Sequence, residues 1–474
     1  MSNSETAVVG DATENMFAPV FARALDSIGN TPMLKVTRID TGVCELYLKL
    51  ENQNPGGSIK DRIGKSMIEA ALASGEIKPG GTLIEATAGN TGLGLALVAA
   101  QMGLQLILVV PDKMAQEKIF HLKALGADVR LTRSDVGKGH PEYYQDMALA
   151  IHQETPNSFF INQFENPANP LAHVETTGPE IWAQMDKRMD AMVCGVGSGG
   201  TITGLGRYFR SVDPNIEMVL ADPEGSILAE YVETGNISED VGSWLVEGIG
   251  EDFIPPVSDL SVTRKAYTVN DAEAFHAARE LLQLEGIIGG SSSGTLLAAA
   301  LRYCREQTEP KRVVTFVCDS GNKYLSKMYN DVWMQDQGLL DREETGDLRD
   351  LIPYSHLQSD TVVAAPTDTL LQALNRMKLY DISQLPVLGS EGKVVGIVDE
   401  SDILLAVFKN QSRFQETVDT VMSTQLQTVE ADQPLETLLP LFQRELVPMI
   451  VKNEKFCGLI TRIDLLNYLR QKVR

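Results

Sequence analysis

Between about residue 30 and residue 330, short runs of β-branched apolar residues alternate with longer stretches of helical periodicity. This alternation is typical of an α/β domain with a largely parallel sheet. Several predicted strands run directly into a loop rich in Gly, Ser or Thr and then into a helix, and open α/β sheets bind ligands at such strand ends. The predicted strands are Thr82–Glu85, Leu106–Val110, Ala191–Cys194, Met218–Ala221 and Val313–Cys318.

The segment 55–62, P-G-G-S-I-K-D-R, predicts a helix start that carries a lysine. Ser58 can cap the helix, and Asp61 has the spacing of a capping box. An amine in apolar surroundings loses the solvation of its charged form, so it can form a Schiff base or act as a base near neutral pH. Lys60 is therefore a candidate catalytic residue, and the alternative is a solvated surface lysine. The residues predicted to pack this helix on a core are Ile59, Ile63, Met67 and Ala70.

Three further loops follow predicted strands and precede predicted helices, at 85–92, 195–201 and 289–295. Their backbone N–H groups and hydroxyls lie at helix starts, which bind carboxylates and phosphates. Together with the lysine-bearing helix start, these loops exceed what packing alone requires.

The loop 195–201 also fits a different class of site. Gly195, Gly197 and Gly200 have the spacing of the dinucleotide fingerprint, and Asp222 follows the next strand, where an acid could meet a ribose. That fingerprint usually opens the first βαβ unit of its domain, whereas this loop lies in mid-domain. A dinucleotide site is therefore the less favoured interpretation.

The composition changes after Trp333, and a duplicated pattern follows. Residues 341–350 are highly charged, which predicts an exposed linker. Each of the two copies after this linker predicts a strand, a turn, a second strand and a helix. Two such copies make one small domain. The markers have equal spacing in both copies: Pro386, Gly396 and Asp402, then Pro448, Gly458 and Asp464.

The pattern predicts four parts of the chain. They are a disordered tail at 1–16, a core of two α/β subdomains at 17–335, a linker at 336–355 and a tandem domain at 356–474, with repeats at about 356–410 and 416–474. A length of 474 residues agrees with about three domain-sized units.

Charge and cysteine usage narrow the partners. A net charge of −23 argues against nucleic acid and anionic membrane surfaces, which leaves small molecules. The five cysteines show no paired spacing, so neither a disulfide framework nor a metal site is expected. The sequence has no apolar run of membrane length and no secretion signal at its start, so we expect a cytoplasmic protein without a membrane span.

Taken together, these motifs resemble the cystathionine β-synthase family of fold-type-II pyridoxal-phosphate enzymes, with a tandem pair of CBS domains (a Bateman module) at the C-terminus. The resemblance covers about residues 20–474. It implies a tryptophan-synthase-β-like catalytic core with open parallel sheets, followed by an α/β module of CBS repeats. The motifs that carry it are P-G-G-S-I-K-D-R, T-A-G-N-T-G, V-G-S-G-G-T, D-P-E-G-S-I-L-A-E, V-E-G-I-G, G-G-S-S-S-G and N-D-V-W-M.

The resemblance also implies which residues hold pyridoxal 5'-phosphate. Lys60 would be the Schiff-base lysine and the later proton shuttle, and Asn90 would bond the 3' oxygen of the cofactor. Ser291 would bond the pyridine nitrogen, where a neutral hydroxyl favours elimination and replacement at Cβ over transamination. The phosphate cradle would consist of Gly197, Ser198, Gly199, Gly200 and Thr201.

The substrate-binding residues implied by the family are Thr87, Ala88, Thr91, Gln163 and Gly248. Some positions depart from the family pattern. Ala88 stands where a serine is usual. Phe164 and Glu251 stand where other members have tyrosine, so the family pattern does not decide which residues line the second-substrate pocket. Residues 1–30 contain neither Cys nor His, so no haem is expected.

The implied reaction condenses L-serine with L-homocysteine to L-cystathionine and water, in transsulfuration and cysteine biosynthesis, with hydrogen sulfide as a further product. Glu247 in V-E-G-I-G resembles the acid that distinguishes these synthases from O-acetylserine sulfhydrylases. A homo-oligomer, dimer or tetramer, is implied as well. Two alternatives stay open: a cysteine synthase using O-acetylserine and sulfide, and an inactive nucleotide sensor, against which the retained Lys60 and the three loops argue.

In CBS modules, an acid at a helix start often holds a nucleotide ribose, and a hydroxyl three residues earlier often meets phosphate. Asp402 and Asp464 both supply the acid. Thr461 precedes Asp464, whereas Asp399 and Glu400 precede Asp402 and would repel phosphate. We therefore expect an adenosyl ligand, either S-adenosylmethionine or an adenine nucleotide, to prefer the cleft of Thr461 and Asp464.

Overall fold

A computed structural model describes residues 20–87, 89–112, 114, 116–137, 139–237, 241–340, 345–352, 362–444 and 446–471. The chain forms two compact units that divide between Leu325 and Ser326. Within the described ranges, no helix combines the length and apolar character that crossing a membrane requires.

The strands of the first unit are β1 Met33–Lys35, β2 Glu45–Leu50, β3 Thr82–Glu85, β4 Gln105–Pro111, β5 Asp128–Thr132, β6 Ser158–Phe160, β7 Ala191–Cys194, β8 Glu217–Pro223, β9 Thr263–Val269 and β10 Arg312–Val317. Its α-helices are α1 Lys60–Ser74, α2 Asn90–Met102, α3 Gln116–Ala124, α4 Tyr144–Glu154, α5 Ala168–Ala172, α6 Gly178–Gln184, α7 Gly200–Val212, α8 Leu228–Thr234, α9 Asp271–Glu280 and α10 Ser291–Arg305.

Two sheets form the framework of the first unit. One has the order β5-β4-β3-β6 with parallel pairing throughout, and the other has the order β1-β2-β10-β7-β8-β9, in which only the pair β1 and β2 is antiparallel among the described strands. This arrangement confirms the predicted α/β class with open parallel sheets. The inner strands β3, β4, β7, β8 and β10 are buried along almost their whole length, as is usual where helices cover both faces of a parallel sheet, whereas the edge strand β5 is largely exposed.

The predicted strand positions agree closely with β3, β4, β7, β8 and β10. Helix α1 begins at Lys60 and buries Ile63 and Met67, as the periodicity indicates. Ala70, however, is exposed, and Ala71 is buried in its place. The difference is one residue because Gly64 and Ile68 are buried as well, and at 100° per residue Ala71 lies nearer than Ala70 to the centre of that wider face.

Helices α1 and α2 pack with their backbones in contact. A Cβ on Gly64 would lie 2.9 Å from the carbonyl carbon of Gly94, and a Cβ on Gly94 would lie 2.8 Å from the carbonyl oxygen of Lys60. Only glycine fits at this crossing. The starts of the two helices, Lys60 and Asn90, are therefore held in one fixed arrangement.

The second unit contains the strands β11 Gln384–Leu388, β12 Val394–Asp399, β13 Thr428–Glu430, β14 Met449–Lys452 and β15 Lys455–Leu459, and the helices α11 Asp331–Asp336, α12 Leu370–Tyr380, α13 Glu400–Val407, α14 Leu439–Gln443 and α15 Arg462–Gln471. Strands β11 and β12 pair antiparallel in the first copy, as β14 and β15 do in the second. Each copy has its own apolar core, centred on Leu385 and Val398 in the first and on Ile450 and Ile460 in the second.

The predicted exposed linker is partly wrong. Of its described part, Leu348 is buried in the core of the second copy, together with Leu351 and Ile352. Asp347 is paired with Arg349, and Asp350 accepts hydrogen bonds from the N–H groups of Thr345 and Gly346. Local partners thus satisfy the carboxylates whose charge indicated exposure.

Candidate active site

Lys60 is the first residue of α1 and faces a cavity of about 280 Å³. Burial lowers the pKa of its amine, while the nearby acidic groups Cys318, Glu251 and Asp319 oppose that shift. A lowered pKa favours the neutral amine, which is the form that acts as a nucleophile and as a base. The structure therefore places Lys60 where the sequence prediction requires a reactive lysine.

The predicted capping box at this helix start is wrong. The Oδ2 atom of Asp61 accepts a hydrogen bond from the N–H of Gly56 at 2.5 Å, and the cap position is Ile59 instead of Ser58. Ser58 Oγ accepts from the N–H of Lys60 at 3.3 Å. The carboxylate of Asp61 thus accepts a hydrogen bond from the preceding glycine loop and not from the helix start. Burial raises the pKa of Asp61 to about 7.

The opposite wall of the cavity is the loop between β7 and α7. Gly197, Ser198, Gly199 and Thr201 line the cavity there, and Gly200 opens α7. Gly199 has φ +86, and a Cβ at this position would lie 2.5 Å from the Cβ of Ser258. A Cβ on Gly197 would lie 2.5 Å from the carbonyl oxygen of Gly248. These positions require glycine, so their N–H groups are open to an anion at the helix start.

Three residues outside the predicted set support this loop. Asn169 donates from Nδ2 to Ser198 Oγ at 2.9 Å, and His173 Nε2 lies 3.2 Å from Thr201 Oγ1. Burial keeps the pKa of His173 well below its usual value, so the ring is neutral. Ser258 Oγ is buried and makes no hydrogen bond to another described residue.

The predicted substrate pocket is brought together between the Lys60 wall and the glycine wall. Thr87, Thr91 and Gln163 line the cavity, and Thr91 Oγ1 donates to Gln163 Oε1 at 2.7 Å. Gly248 lines it as well. Ala88 lies outside the described residues.

Asn90 also lines the cavity, and its amide group is held from two sides. Its Nδ2 donates to Asp319 at 2.9 Å, and its Oδ1 accepts from the Lys323 amine at 2.6 Å. Burial raises the pKa of Asp319 and lowers the pKa of Lys323. Sequence reasoning missed Asp319 and Lys323, which follow β10 at the carboxyl edge of the sheet.

The predicted role of Ser291 stays a prediction. Ser292 lines the cavity, whereas Ser291 is not among the lining residues, and its Oγ accepts from the N–H of Glu247 at 2.9 Å. Successive side chains on a helix point about 100° apart, so neighbouring serines cannot both face the same ligand atom. Three serines in a row gave no sequence signal for choosing among them.

A second cavity of about 200 Å³ shares Gly89, Asn90 and Gly248 with the first. Glu247 lines this second cavity and forms an ion pair with Lys118. Lys323 and His121 are also in its wall. The site thus has two adjoining compartments, one with Lys60 and one with a mixed-charge lining.

The dinucleotide interpretation fails at its acid. Asp222 is fully buried, accepts a hydrogen bond from the N–H of Ala229 at 2.9 Å and is absent from the cavity lining. It anchors the start of α8 and cannot reach a ribose. Within the described residues, no cluster of metal-ligating side chains is present.

The residues present fit pyridoxal phosphate. The glycine cradle that a Cβ would fill, the partnerless Ser258 hydroxyl and the hydroxyl of Thr201 suit a phosphate group. Lys60 faces the same cavity and can hold an aldehyde carbon covalently. Ser292 offers a neutral hydroxyl near Cys318, whose thiol pKa burial raises to about 12.

The predicted regulatory residues lie at two helix starts of the second unit. Asp464 Oδ2 accepts from the N–H and the hydroxyl of Thr461, at 2.7 and 2.6 Å. In the first copy, Asp399 and Asp402 exchange reciprocal hydrogen bonds with their backbone N–H groups. Burial raises the pKa of Asp402, and the charge of Asp399 adds to that rise.

Comparison with known proteins agrees with this geometry. The family model for pyridoxal-phosphate dependent enzymes matches residues 24–319, and the CBS domain model matches residues 350–409 and 418–471. Cystathionine β-synthase of Dictyostelium discoideum is 37% identical over 458 residues, which cover 94% of this chain and 91% of that protein.

Two shorter proteins match about two thirds of this chain. An O-acetylserine dependent cystathionine β-synthase of Bacillus subtilis is 41% identical over 303 residues, covering 63% of this chain and 94% of that protein. The crystal structure of a hydrogen sulfide-producing enzyme from Fusobacterium nucleatum superposes with a TM-score of 0.60 and 37% identity, covering 65% of this chain and 100% of that chain.

The fold and the site define a pyridoxal-phosphate dependent enzyme with a pair of CBS domains attached. This confirms the predicted fold class and cofactor. With the identity and coverage given above, the chain belongs to the cystathionine β-synthase family.

Proposed function

We propose that this protein condenses L-serine with L-homocysteine to form L-cystathionine and water. The observation that carries the proposal is the cavity in which the Lys60 amine, with its lowered pKa, faces Thr87, Thr91 and Gln163. Curated relatives named cystathionine β-synthase over nearly the whole chain support it. Hydrogen sulfide release and a role in cysteine biosynthesis belong to the same proposal.

Each part of the cavity has a distinct task in this reaction. The hydroxyls of Thr87 and Thr91 and the amide of Gln163 would bind the carboxylate of the first substrate and orient its Cα toward Lys60. Pyridoxal phosphate, when bound, supplies the electron sink that makes the Cα–H bond acidic. The Lys60 amine would take the Cα proton and later return it to the same atom. Phe164, Ile249, Leu296 and Phe316 form the apolar walls that keep water away.

Ser292 is our proposed alternative to Ser291 as the partner for the pyridine nitrogen. It lines the cavity, whereas Ser291 begins the buried stretch of α10. Asn90 would hold the 3' oxygen, with Asp319 and Lys323 fixing the orientation of its amide.

The direct test is product analysis of the purified protein with added cofactor. L-serine plus L-homocysteine should give cystathionine, detected by mass spectrometry. A protein that makes cysteine from O-acetyl-L-serine and sulfide but no cystathionine from L-serine would be a cysteine synthase, and no turnover in either reaction would favour a nucleotide sensor. O-acetyl-L-serine plus L-homocysteine is a third arm, because the Bacillus subtilis relative is named as O-acetylserine dependent.

Glu247 is expected to act on the second substrate. With L-serine fixed as first substrate, Glu247→Gln should lower kcat/KM for L-homocysteine about 10-fold to 100-fold more than for sulfide, because a charged hydrogen bond is worth about 1.5–3 kcal/mol and sulfide carries no amino-acid group to bind. The matched control is Glu230→Gln on an exposed helix surface. Equal losses for both nucleophiles would mean that Glu247 only holds its loop.

The CBS pair is proposed to bind an adenosyl ligand at the second copy. Thr461 and Asp464 lie together at the start of α15, whereas the corresponding hydroxyl position in the first copy is the carboxylate Asp399. Titration calorimetry with S-adenosylmethionine, AMP and ATP should show binding to the full-length protein. Asp464→Ala should weaken that binding at least about tenfold, because it removes one hydrogen bond to a charged group. Binding that survives Asp464→Ala but disappears in Asp402→Ala would place the site in the first copy.

We also propose that the enzyme is a homo-oligomer, dimer or tetramer, and acts in the cytoplasm. The relatives match over the catalytic unit and the CBS pair together, and the described chain offers exposed apolar side chains on the second unit, such as Leu405 and Phe408. Sedimentation equilibrium of the purified protein tests the oligomeric state.

A further inference from the structure

A carboxyl group with no role in the reaction steps proposed above lies in the wall of the active-site cavity. Glu251 lines this cavity together with Lys60, Gln163 and Phe164. Its main chain is anchored, because its N–H donates to Ser226 Oγ at 3.0 Å and its carbonyl oxygen accepts from the N–H of Ile227 at 3.1 Å. Its side chain makes no hydrogen bond or ion pair with another described residue.

The charged and titratable groups around Glu251 come from four places. Lys60 is at the start of α1, Asp222 at the end of β8, Tyr144 at the start of α4, and Asp252 is the next residue in the chain. Burial raises the pKa of Glu251 to about 8, the two aspartates add to the rise, and the Lys60 ammonium opposes it. Glu251 is therefore a protonated acid at neutral pH, with a proton to give.

The chemistry of the first substrate needs such a proton. Hydroxide is a poor leaving group, whereas acetate departs without help. In a concerted elimination Lys60 cannot supply this proton, because it is accepting one from Cα. Glu247 is already an ion-pair partner of Lys118 and lines the other cavity.

We propose that Glu251 is the general acid that protonates the hydroxyl group leaving from Cβ of the first substrate, and that it allows the enzyme to use a donor without an activated leaving group. The inference rests on the proposed function and names the residue that decides between L-serine and O-acetyl-L-serine.

The step is balanced in protons and electrons. Lys60 takes the Cα proton, and the electron pair of that C–H bond forms the second Cα–Cβ bond. The Cβ–O bond breaks with its electron pair on oxygen, the Glu251 proton joins that oxygen, and water leaves. In the second half of the reaction, the thiol gives its proton to the Glu251 carboxylate, its sulfur bonds to Cβ, and Lys60 returns the proton to Cα.

The test compares two leaving groups with one nucleophile. With L-homocysteine fixed, Glu251→Gln should lower kcat/KM for L-serine at least about 100-fold, the usual worth of a general acid, and the loss with O-acetyl-L-serine should be at least about tenfold smaller. In the wild type, kcat with L-serine should fall as pH rises through about 8, since the acid then loses its proton. That fall should be absent in Glu251→Gln.

Asp252→Asn is the matched control, because it removes an exposed carboxylate one residue away. It should retain L-serine turnover and the alkaline fall, moved to lower pH because one charge that raises the pKa of Glu251 is gone. A readout independent of turnover is the infrared difference spectrum between wild type and Glu251→Gln without cofactor, in which a protonated carboxyl band should persist at neutral pH and vanish at alkaline pH.

Equal losses with both donors, an alkaline fall that persists in Glu251→Gln, or no protonated carboxyl band at neutral pH would each overturn the inference. Failure of the proposed function is a different result: the wild type would then make no cystathionine from L-serine, whereas the infrared titration would still report the state of Glu251.

Discussion

Lys60→Ala should lose turnover by at least about 10⁴-fold, the upper range for removal of a single acid–base group, together with the yellow colour of the purified protein. The amine at the start of α1 is the proposed covalent attachment point for the cofactor, and it is also the proposed base for the Cα proton. Visible absorbance of the protein as isolated and steady-state product formation measure the two losses separately.

The controls for this experiment separate charge from chemistry. Lys60→Arg should not restore either property, because a guanidinium stays protonated and cannot bond the aldehyde carbon. Lys65→Ala removes a lysine from the same helix, where its amine lies 3.4 Å from the carbonyl oxygen of Leu25, and should keep both properties. A colourless wild type with full activity would contradict the cofactor assignment.

Arg62→Met should destabilise the first unit by about 3–5 kcal/mol, the cost of breaking a buried ion-pair network. The Arg62 guanidinium binds Glu51 at 2.7 and 2.8 Å and Glu180 at 2.7 Å, and the fully buried Lys49 amine also binds Glu180 at 2.9 Å. The variant leaves two carboxylates in the interior with one cation between them. Urea unfolding followed by fluorescence measures the loss.

The pH dependence of stability provides a second check on the same network. Burial alone would raise the pKa of Glu180, but its hydrogen bonds and charge contact with Arg62 outweigh that effect and lower the pKa to about 2. A depressed pKa contributes stability that is present above the unfolded value of about 4.3 and is lost as pH falls toward the folded value. The wild type should therefore lose stability between about pH 4 and pH 2, and in Arg62→Met this contribution should be smaller, because only Lys49 and a backbone hydrogen bond then favour the charged Glu180.

Arg133→Met is the matched control. Arg133 pairs with Asp135 at 2.7 Å, but half of its side chain is exposed, so its removal should cost less than about 1 kcal/mol. If both arginine variants unfold at the same urea concentration, the buried network does not stabilise the first unit.

The sequence predicts most of the strands and site loops of the first unit because their strongest signals are local. The strands β3 and β7 begin and end at the predicted residues, since parallel strands buried on both faces leave short apolar runs bounded by turns. Lys60 and the loop at 195–201 were likewise found from motifs that are contiguous in the chain.

The features that the sequence did not predict depend on contacts between segments that are distant in the chain. The choice between Ser291 and Ser292 depends on the rotation of α10 about its axis, and the partner of Asp61 depends on how the 55–57 loop folds back. Asp319 and Lys323 carry no motif of their own, and the structure shows that they hold Asn90 from across the sheet edge. The charged segment around Leu348 was predicted to be exposed, but its leucines are buried and its aspartates have local hydrogen-bond partners.

The backbone contact between Gly64 and Gly94 also constrains how this enzyme can move. Because α1 and α2 touch without side chains between them, any displacement at this crossing would pass directly from the backbone that carries Lys60 to the helix that begins at Asn90. The facing wall carries the glycines of 195–201 and the segment from Gly248 to Glu251. A shift of α1 and α2 against that wall would therefore change the separation between Lys60 and Glu251, the two groups that we propose as base and acid.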